Sequence, residues 1–312
     1  MFADLFTRFA AFLAIFMFGL IVMRHGLFQM AQERLQMLLS QLTDSAWKGM
    51  LAGMLITALL QSSSAVMVML VGLVAARLMP FSHTIGVILG ANIGTTVTAE
   101  LITFQIGSYA LWIVLLGVVL LLFKNATCYS LGCLGVGLGC LFLSMSGLSS
   151  LAEPVSSFTA SEDIIKWASS HSIYGMSIGA ILAAIIQSST ACIALAMGFL
   201  SEHIISLPTA ITIMIGSNIG TCLTALLASI GTSSAAKQVA YANIWLNVFG
   251  ALLFLPLIDG LALISRLLTF DPATQLAHAS VIFNVVCSVL LLPFVRPFIA
   301  LIEMLHGRMV AK

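Results

Sequence analysis

Long apolar runs dominate the chain, and short polar blocks interrupt them at repeated places. Predominantly apolar runs occupy residues 10–22, 109–123, 131–143, 239–258 and 281–295. They approach or exceed the roughly 20 residues that span a bilayer, so each predicts a membrane helix. Two other apolar regions carry dense polar clusters, "ALLQSSSAVMVML" at 58–70 and "AIIQSSTACIALA" at 184–196. Behind each lies a second block, "GANIGTTVTA" from Gly90 and "GSNIGTCLTA" from Gly216.

Both pairs share an offset of 126 residues. Laying 49–104 over 175–230 without a gap gives 18 identities in 56 positions. Apolar composition alone would match Leu, Ile, Val and Ala. Here the matches include Gly53/Gly179, Gln61/Gln187, Ser62/Ser188, Ser63/Ser189, Asn92/Asn218, Gly94/Gly220 and Thr95/Thr221. The chain is therefore an internal duplication. Each unit reads as an apolar helix, an amphipathic stretch (28–48 and 149–174), the QSS block, the NIGT block and a last helix, with 108–124 falling on 234–250. The expected division is residues 1–126, 127–252 and a remainder, 253–312, holding one extra helix near 281–295 and a tail.

Residues 49–60 are too few to cross at 1.5 Å per residue. A re-entrant hairpin with QSSS at its tip fits them, and QSST has the same setting. Gly90, Asn92 and Gly94 are poor helix interiors. The NIGT blocks are thus expected to unwind and to restart at Thr95, tolerable at membrane depth only inside protein or beside a wet cavity. Three crossings per unit would invert the second unit against the first. The expected fold is an all-α polytopic membrane protein of two inverted-topology repeats, with re-entrant hairpins and broken helices.

Composition agrees with this picture. The chain is 61% hydrophobic and 7% charged, with mean hydropathy +1.14. Soluble domains carry about 25% charged residues. Net charge is +1, which points away from nucleic acid. Residues 10–22 have the length of a signal-peptide core. Only Arg24 and His25 follow, with no small-residue cleavage site, so the stretch is read as a helix. No polar stretch is long enough for an extramembrane domain. Cys128, Cys133, Cys140, Cys192, Cys222 and Cys287 lie in or beside apolar segments without a CxxC pair, and are read as small buried hydrophobes.

The polar blocks carry the candidate chemistry. Ser62–Ser64 and Ser188–Thr190 open helical segments, whose hydroxyls cap and whose first N–H groups favour anions. Gln61, Gln187, Asn92 and Asn218 add amides that donate to an oxyanion or ligate a hard cation. No Lys or Arg occurs in 49–76, 84–104, 175–200 or 204–236. An anion there lacks a fixed counter-charge, so cations are expected to accompany it. Glu100 is the only charge between residues 84 and 104, and its repeat mate is Leu226. A carboxylate at depth is costly and usually functional; reaching water at the interface is the alternative. "VAYANIWLNVFGALLFLP" and "LAHASVIFNVVCSVLLLP" align at an offset of 37, placing Asn247 on Asn284. Helix packing is the reading for both asparagines, and His278 reads as a packed histidine.

"QSSSA", "QSSTA", "GANIGTT" and "GSNIGT" in two copies, with "LAHASVIFN" later, resemble the type II sodium–phosphate cotransporter family over nearly the whole chain. The resemblance implies a sodium-coupled symporter taking up inorganic phosphate, multi-pass in a bacterial plasma membrane. It implies a substrate site of Gln61, Ser62, Ser63, Ser64, Gln187, Ser188, Ser189 and Thr190. Asn92, Thr95, Thr96, Asn218, Thr221 and Glu100 are candidates to line it or ligate sodium. Na⁺ is the one ion expected, with no cofactor; the lipid bilayer, phosphate and sodium are the partners. Thr190 replaces the third Ser of the second block. Some bacterial relatives have a helical domain resembling a phosphate-uptake regulator, which this chain is expected to lack. A transporter of another small oxyanion or carboxylate is the nearest alternative, then an anion channel. An intramembrane enzyme would need a nucleophile and base or a metal cluster at depth, and no His, Cys or carboxylate repeats with the motifs.

Overall fold

The computed structural model describes residues 2–41, 45–104, 107–156 and 159–307, and among them every regular element is helical. The first unit holds α1 (Phe2–Gln41), α2 (Ala46–Leu60), α3 (Ser63–Ala75), α4 (Phe81–Ile102) and α5 (Ala110–Leu121). The second holds α6 (Ala126–Ser156), α7 (Thr159–Ser170), α8 (Ser172–Ile186), α9 (Ser189–Ser201) and α10 (Leu207–Ala228). After them come α11 (Ser234–Phe254), α12 (Ile258–Leu268), α13 (Pro272–Leu291) and α14 (Val295–His306). Six helical spans among the described residues are long and apolar enough to cross a membrane: Asp4–Met30, Phe81–Ile102, Ala126–Leu151, Leu207–Ser229, Ser234–Leu268 and Pro272–His306. The chain is an integral, multi-pass membrane protein, and all five predicted apolar runs are helical over nearly their whole length.

The duplication is structural as well as sequential. α2 packs against α4 and α8 against α10, each pair along its length. Glycines make this approach possible. A Cβ at Gly90 would collide with the carbonyl oxygen of Met50, and one at Gly216 with that of Met176. This corrects the expectation of broken helices. α4 and α10 run unbroken through their NIGT blocks. In lipid, helices associate through close packing of small residues. The tight backbone-to-backbone packing that glycine permits outweighs its low helix propensity, about 1 kcal/mol.

The last helices depart from the expected register. α5 lies on α6 and exposes Leu111, Trp112, Leu115 and Leu116. α11, aligned with it at the offset of 126, packs instead on α3 and α10. Its counterpart is α13, which packs on α9 and α4. A 3₁₀ turn at Pro256 separates α11 from α12, and one at Pro293 separates α13 from α14. The segment after residue 253 is thus no single helix with a tail: it completes α11 and adds three helices. Gln238 Nε2 on α11 donates to the carbonyl of Gly307 after α14, at 2.6 Å, and Gln275 Nε2 on α13 donates to that of Thr269 after α12, at 2.9 Å. The two glutamines that form these clasps stand at the offset of 37. The apolar core is double. One part joins α2, α3 and α4 to α11 and α14; the other joins α1, α9 and α10 to α12 and α13.

The stretch 28–48 is not separate in its helical part, because α1 continues to Gln41. The side chains of 31–44 lie outside the described residues. In the second unit, α7 is a distinct amphipathic helix with Ile164 and Trp167 exposed.

Candidate functional site

The two QSS blocks build matching turns. α2 ends at Leu60, and Gln61 takes the left-handed conformation (φ 51°, ψ 32°); α8 ends at Ile186, and Gln187 follows at φ 56°, ψ 29°. A left-handed residue after a helix frees the chain to reverse. Ser62 and Ser188 are then extended, and each hydroxyl accepts a hydrogen bond from the backbone N–H three residues on, Ala65 or Ala191, at 3.2 Å. These are N-caps. Hydroxyls at the start of a helix, as expected, form both tips. The second strained turn also repeats, at Arg77 (φ 61°) and His203 (φ 56°).

The side chains at the tips differ. Gln61 is buried at 3% exposure; its Nε2 donates to the Ala58 carbonyl, and its Oε1 accepts from Thr98 Oγ1 on α4. Gln187 is exposed, and Thr224, the mate of Thr98, has a buried hydroxyl without a partner among the described residues. Ser63 and Ser64 are half-exposed, whereas Ser188, Ser189 and Thr190 are buried.

Between the units lies a polar cavity lined by Ser63, Ser64 and Met67 of α3, Asn92 and Thr95 of α4, Asn218 and Thr221 of α10, Asn243 and Asn247 of α11, and Asn284 of α13. It holds the centre of one water-sized particle, about 10 Å³, near the minimum for a single water. Six of the predicted residues meet there: Ser63, Ser64, Asn92, Thr95, Asn218 and Thr221. Gln61, Ser62, Gln187, Ser188, Ser189, Thr190, Thr96 and Glu100 do not line it. Thr96 is buried and donates to the Ile93 carbonyl at 2.7 Å. Glu100 Oε1 meets His278 Nδ1 at 2.8 Å, each side chain about one-third exposed (32% and 31%).

Asn243, Asn247 and Asn284 are cavity residues that the sequence reading does not assign to a site. A signal exists, because Asn247 and Asn284 match inside otherwise apolar segments. Their placement requires α11 and α13 to converge from the two units.

Hydrogen bonding sets what this cavity offers. Thr95 Oγ1 donates to the Ala91 carbonyl at 2.9 Å, and Thr221 Oγ1 to that of Asn218 at 3.1 Å. Asn247 Nδ2 donates to the Asn243 carbonyl at 2.9 Å, and Asn284 Nδ2 to that of Ser280 at 2.8 Å. The threonine hydroxyls and one N–H of each of these two amides are engaged by helix backbone. Their remaining capacity includes the oxygen lone pairs, which can ligate a cation. An uncharged nest of amide and hydroxyl oxygens suits a hard cation of water size, and the cavity is too small for a tetrahedral oxyanion in this conformation.

A fixed positive charge does reach one tip. Arg24 of α1 donates from Nε to the Gln61 carbonyl at 2.9 Å. The absence of Lys and Arg from the polar blocks therefore does not leave the first hairpin without a neighbouring cation. Among the described residues no group of three His, Cys, Asp or Glu is placed to hold a metal ion, and all six cysteines are free.

Comparison with known proteins gives one family. The sequence model of the Na⁺/Pi-cotransporter family matches residues 15–150 and 156–271. The uncharacterized protein YqeW of Bacillus subtilis is 39% identical over 251 residues, 80% of this chain and 81% of its own length. YjbB of Salmonella typhimurium, provisionally named an inorganic phosphate export protein, is 29% identical over 250 residues, 80% of this chain and 46% of YjbB. YjbB of Escherichia coli K12 matches equally. This chain thus spans about half the length of the YjbB proteins. No solved structure matches.

Proposed function

The chain belongs to the Na⁺/Pi-cotransporter family, and from that premise we propose that it carries inorganic phosphate across the membrane in symport with Na⁺. In this reading Na⁺ occupies the oxygen-lined cavity among Asn92, Asn218, Asn243, Asn247 and Asn284. Phosphate binds at the hairpin tips, where Ser62–Ser64 and Ser188–Thr190 start helices; in this conformation the half-exposed Ser63 and Ser64 carry most of its hydrogen bonds, while Ser188–Thr190 are buried. The cation comes first into a site that costs little to fill. Its charge then lowers the penalty for a desolvated anion beside it.

Transport follows by alternating access. The units 1–126 and 127–252 are inverted in the membrane, and one rocks against the other about a site between them. Two observations support this. The contacts of α11 with α3 and α10 mirror those of α13 with α9 and α4, and the two hairpins, alike in backbone, differ in exposure. The single observation that carries the function is the charge-free cavity of hydroxyls and amides between the two units, reached by the tip of the first hairpin.

Uptake of ³²P-phosphate into proteoliposomes tests the proposal. The expected result is accumulation driven by an inward Na⁺ gradient and abolished when K⁺ replaces Na⁺. Equal uptake in the two salts would refute the coupling. The naming of the YjbB relatives favours a second reading, in which the physiological flux is outward. Efflux from loaded vesicles, faster than uptake under matched gradients, would support it.

A further inference from the structure

Among the described residues, Arg24 is the guanidinium that bonds to a QSS block, and nothing in the blocks themselves calls for it. α1 is seated on α6 by Gly19 and Gly26; a Cβ on either would run into the backbone carbonyl of Gly137 or Ser130. That seating fixes the rotation of α1 and holds Arg24 against the first hairpin, where Nε meets the Gln61 carbonyl at 2.9 Å. The carbonyl is available because the left-handed turn at Gln61 interrupts the helix.

One of the five N–H donors of a guanidinium is thus engaged. The others have no partner among the described residues, and no carboxylate there pairs with Arg24. The side chain is only partly exposed. A buried or half-buried charge without a counter-ion is costly. The negative end of the α2 dipole, at the Gln61 carbonyl, offsets part of that cost, and no carboxylate among the described residues provides the rest of the compensation. An anion at the tip would supply it, and a planar fork of donors suits the paired oxygens of a phosphate.

The second hairpin has no equivalent. The position 126 residues after Arg24 is Ser150, whose hydroxyl donates to the Gly147 carbonyl at 2.7 Å. The carbonyl of Gln187 receives no side-chain donor among the described residues. Two tips with the same backbone therefore differ by a unit of charge.

We infer that Arg24 selects the anion: it is a specificity-determining residue that makes the first hairpin the phosphate-binding end of the transport site. The inference rests on the phosphate reading above. A neutral, oxygen-lined cavity for the cation and a charged tip for the anion would then divide the two substrates between different parts of the molecule.

The test uses the full chain, with thermal unfolding in detergent at rising inorganic phosphate, rising NaCl or neither, and initial rates of ³²P uptake in proteoliposomes. Arg24→Gln is expected to lose the phosphate-induced rise in Tm and to raise the KM for phosphate at least tenfold. The Na⁺-induced rise without phosphate should remain. Arg24→Lys, which keeps the charge without the fork, should retain part of the phosphate response; it also serves if Arg24→Gln does not fold. If Arg24 only clamps the hairpin, both variants lower basal Tm and kcat while KM for phosphate stays at the wild-type value, and that result overturns the inference alone. A wild-type protein whose Tm and uptake ignore phosphate would overturn the phosphate reading and this inference with it.

Discussion

The first and second hairpins share a backbone and differ in almost everything hung on it. Gln61 and Gln187 have the same left-handed φ and ψ, and Ser62 and Ser188 make the same cap. Around the first tip, Gln61 is buried and bonded to Thr98, Arg24 touches the turn, and Ser63 and Ser64 face the cavity. Around the second, Gln187 is exposed, Thr224 keeps an unpartnered buried hydroxyl, and the serines are packed away. Duplication thus preserves what the main chain needs to reverse and lets the chemistry of each tip diverge. A transporter with two equivalent tips would hold two equivalent sites; one with unequal tips has a distinguished end.

The coarsest way to break the comparison is topological. Single cysteines at Leu78 and Ile204, just past the repeated strained turns, on a background lacking the native cysteines, are expected to label from opposite sides of the membrane. Labelling from one side would remove the inversion, and with it the alternating exchange of the hairpins.

Ser63→Ala against Ser189→Ala sharpens it next. Ser63 lines the cavity, and losing a hydrogen bond to a charged ligand costs about 1.5–3 kcal/mol, roughly 10- to 150-fold in apparent affinity. Ser189 is buried away from the cavity. Its loss should cost about 0.6 kcal/mol, roughly threefold. Uptake kinetics of the two variants would reveal equal tips if the changes were equal.

The cavity itself should be indifferent to which hairpin is nearer. Asn247→Ala, beside the first hairpin through α11, and Asn284→Ala, beside the second through α13, should each raise the half-saturating Na⁺ concentration about tenfold, equivalent to about 1.4 kcal/mol. A change confined to one variant would place the ion in one unit.

The smallest effect separates the two threonines. Thr98→Val removes the partner of buried Gln61 and should lower stability by about 0.6–1.7 kcal/mol. Thr224→Val removes a hydroxyl that has no partner among the described residues, and should be neutral or slightly stabilising. Thermal unfolding in detergent reads both. Matching losses would mean that Gln187 and Thr224 are bonded in solution as Gln61 and Thr98 are here.

Much of this is legible in the chain alone. Identities in Gly, Gln, Ser, Asn and Thr at one offset declare the duplication, because those residues recur in apolar helices only for a reason. The Gln–Ser–Ser order predicts the turn and cap, since both depend on residues adjacent in sequence. Apolar periodicity and composition suffice for helices and a membrane. The tertiary structure decides the rest. Whether Gly90 breaks α4 or lets α2 approach depends on a neighbour about forty residues away, and the neighbour wins. The 108–124 and 234–250 runs align by apolar content, which carries no address; the match of 239–256 to 276–293 hints at another pairing, and the packing of the helices decides that α13, not α5, is the counterpart of α11. Asn243, Asn247 and Asn284 become cavity walls, and Arg24 comes to a hairpin from a different helix, because side chains distant along the chain converge only when helices pack. Local chemistry is written in order along the chain; the meeting of charges and oxygens is a property of the folded arrangement.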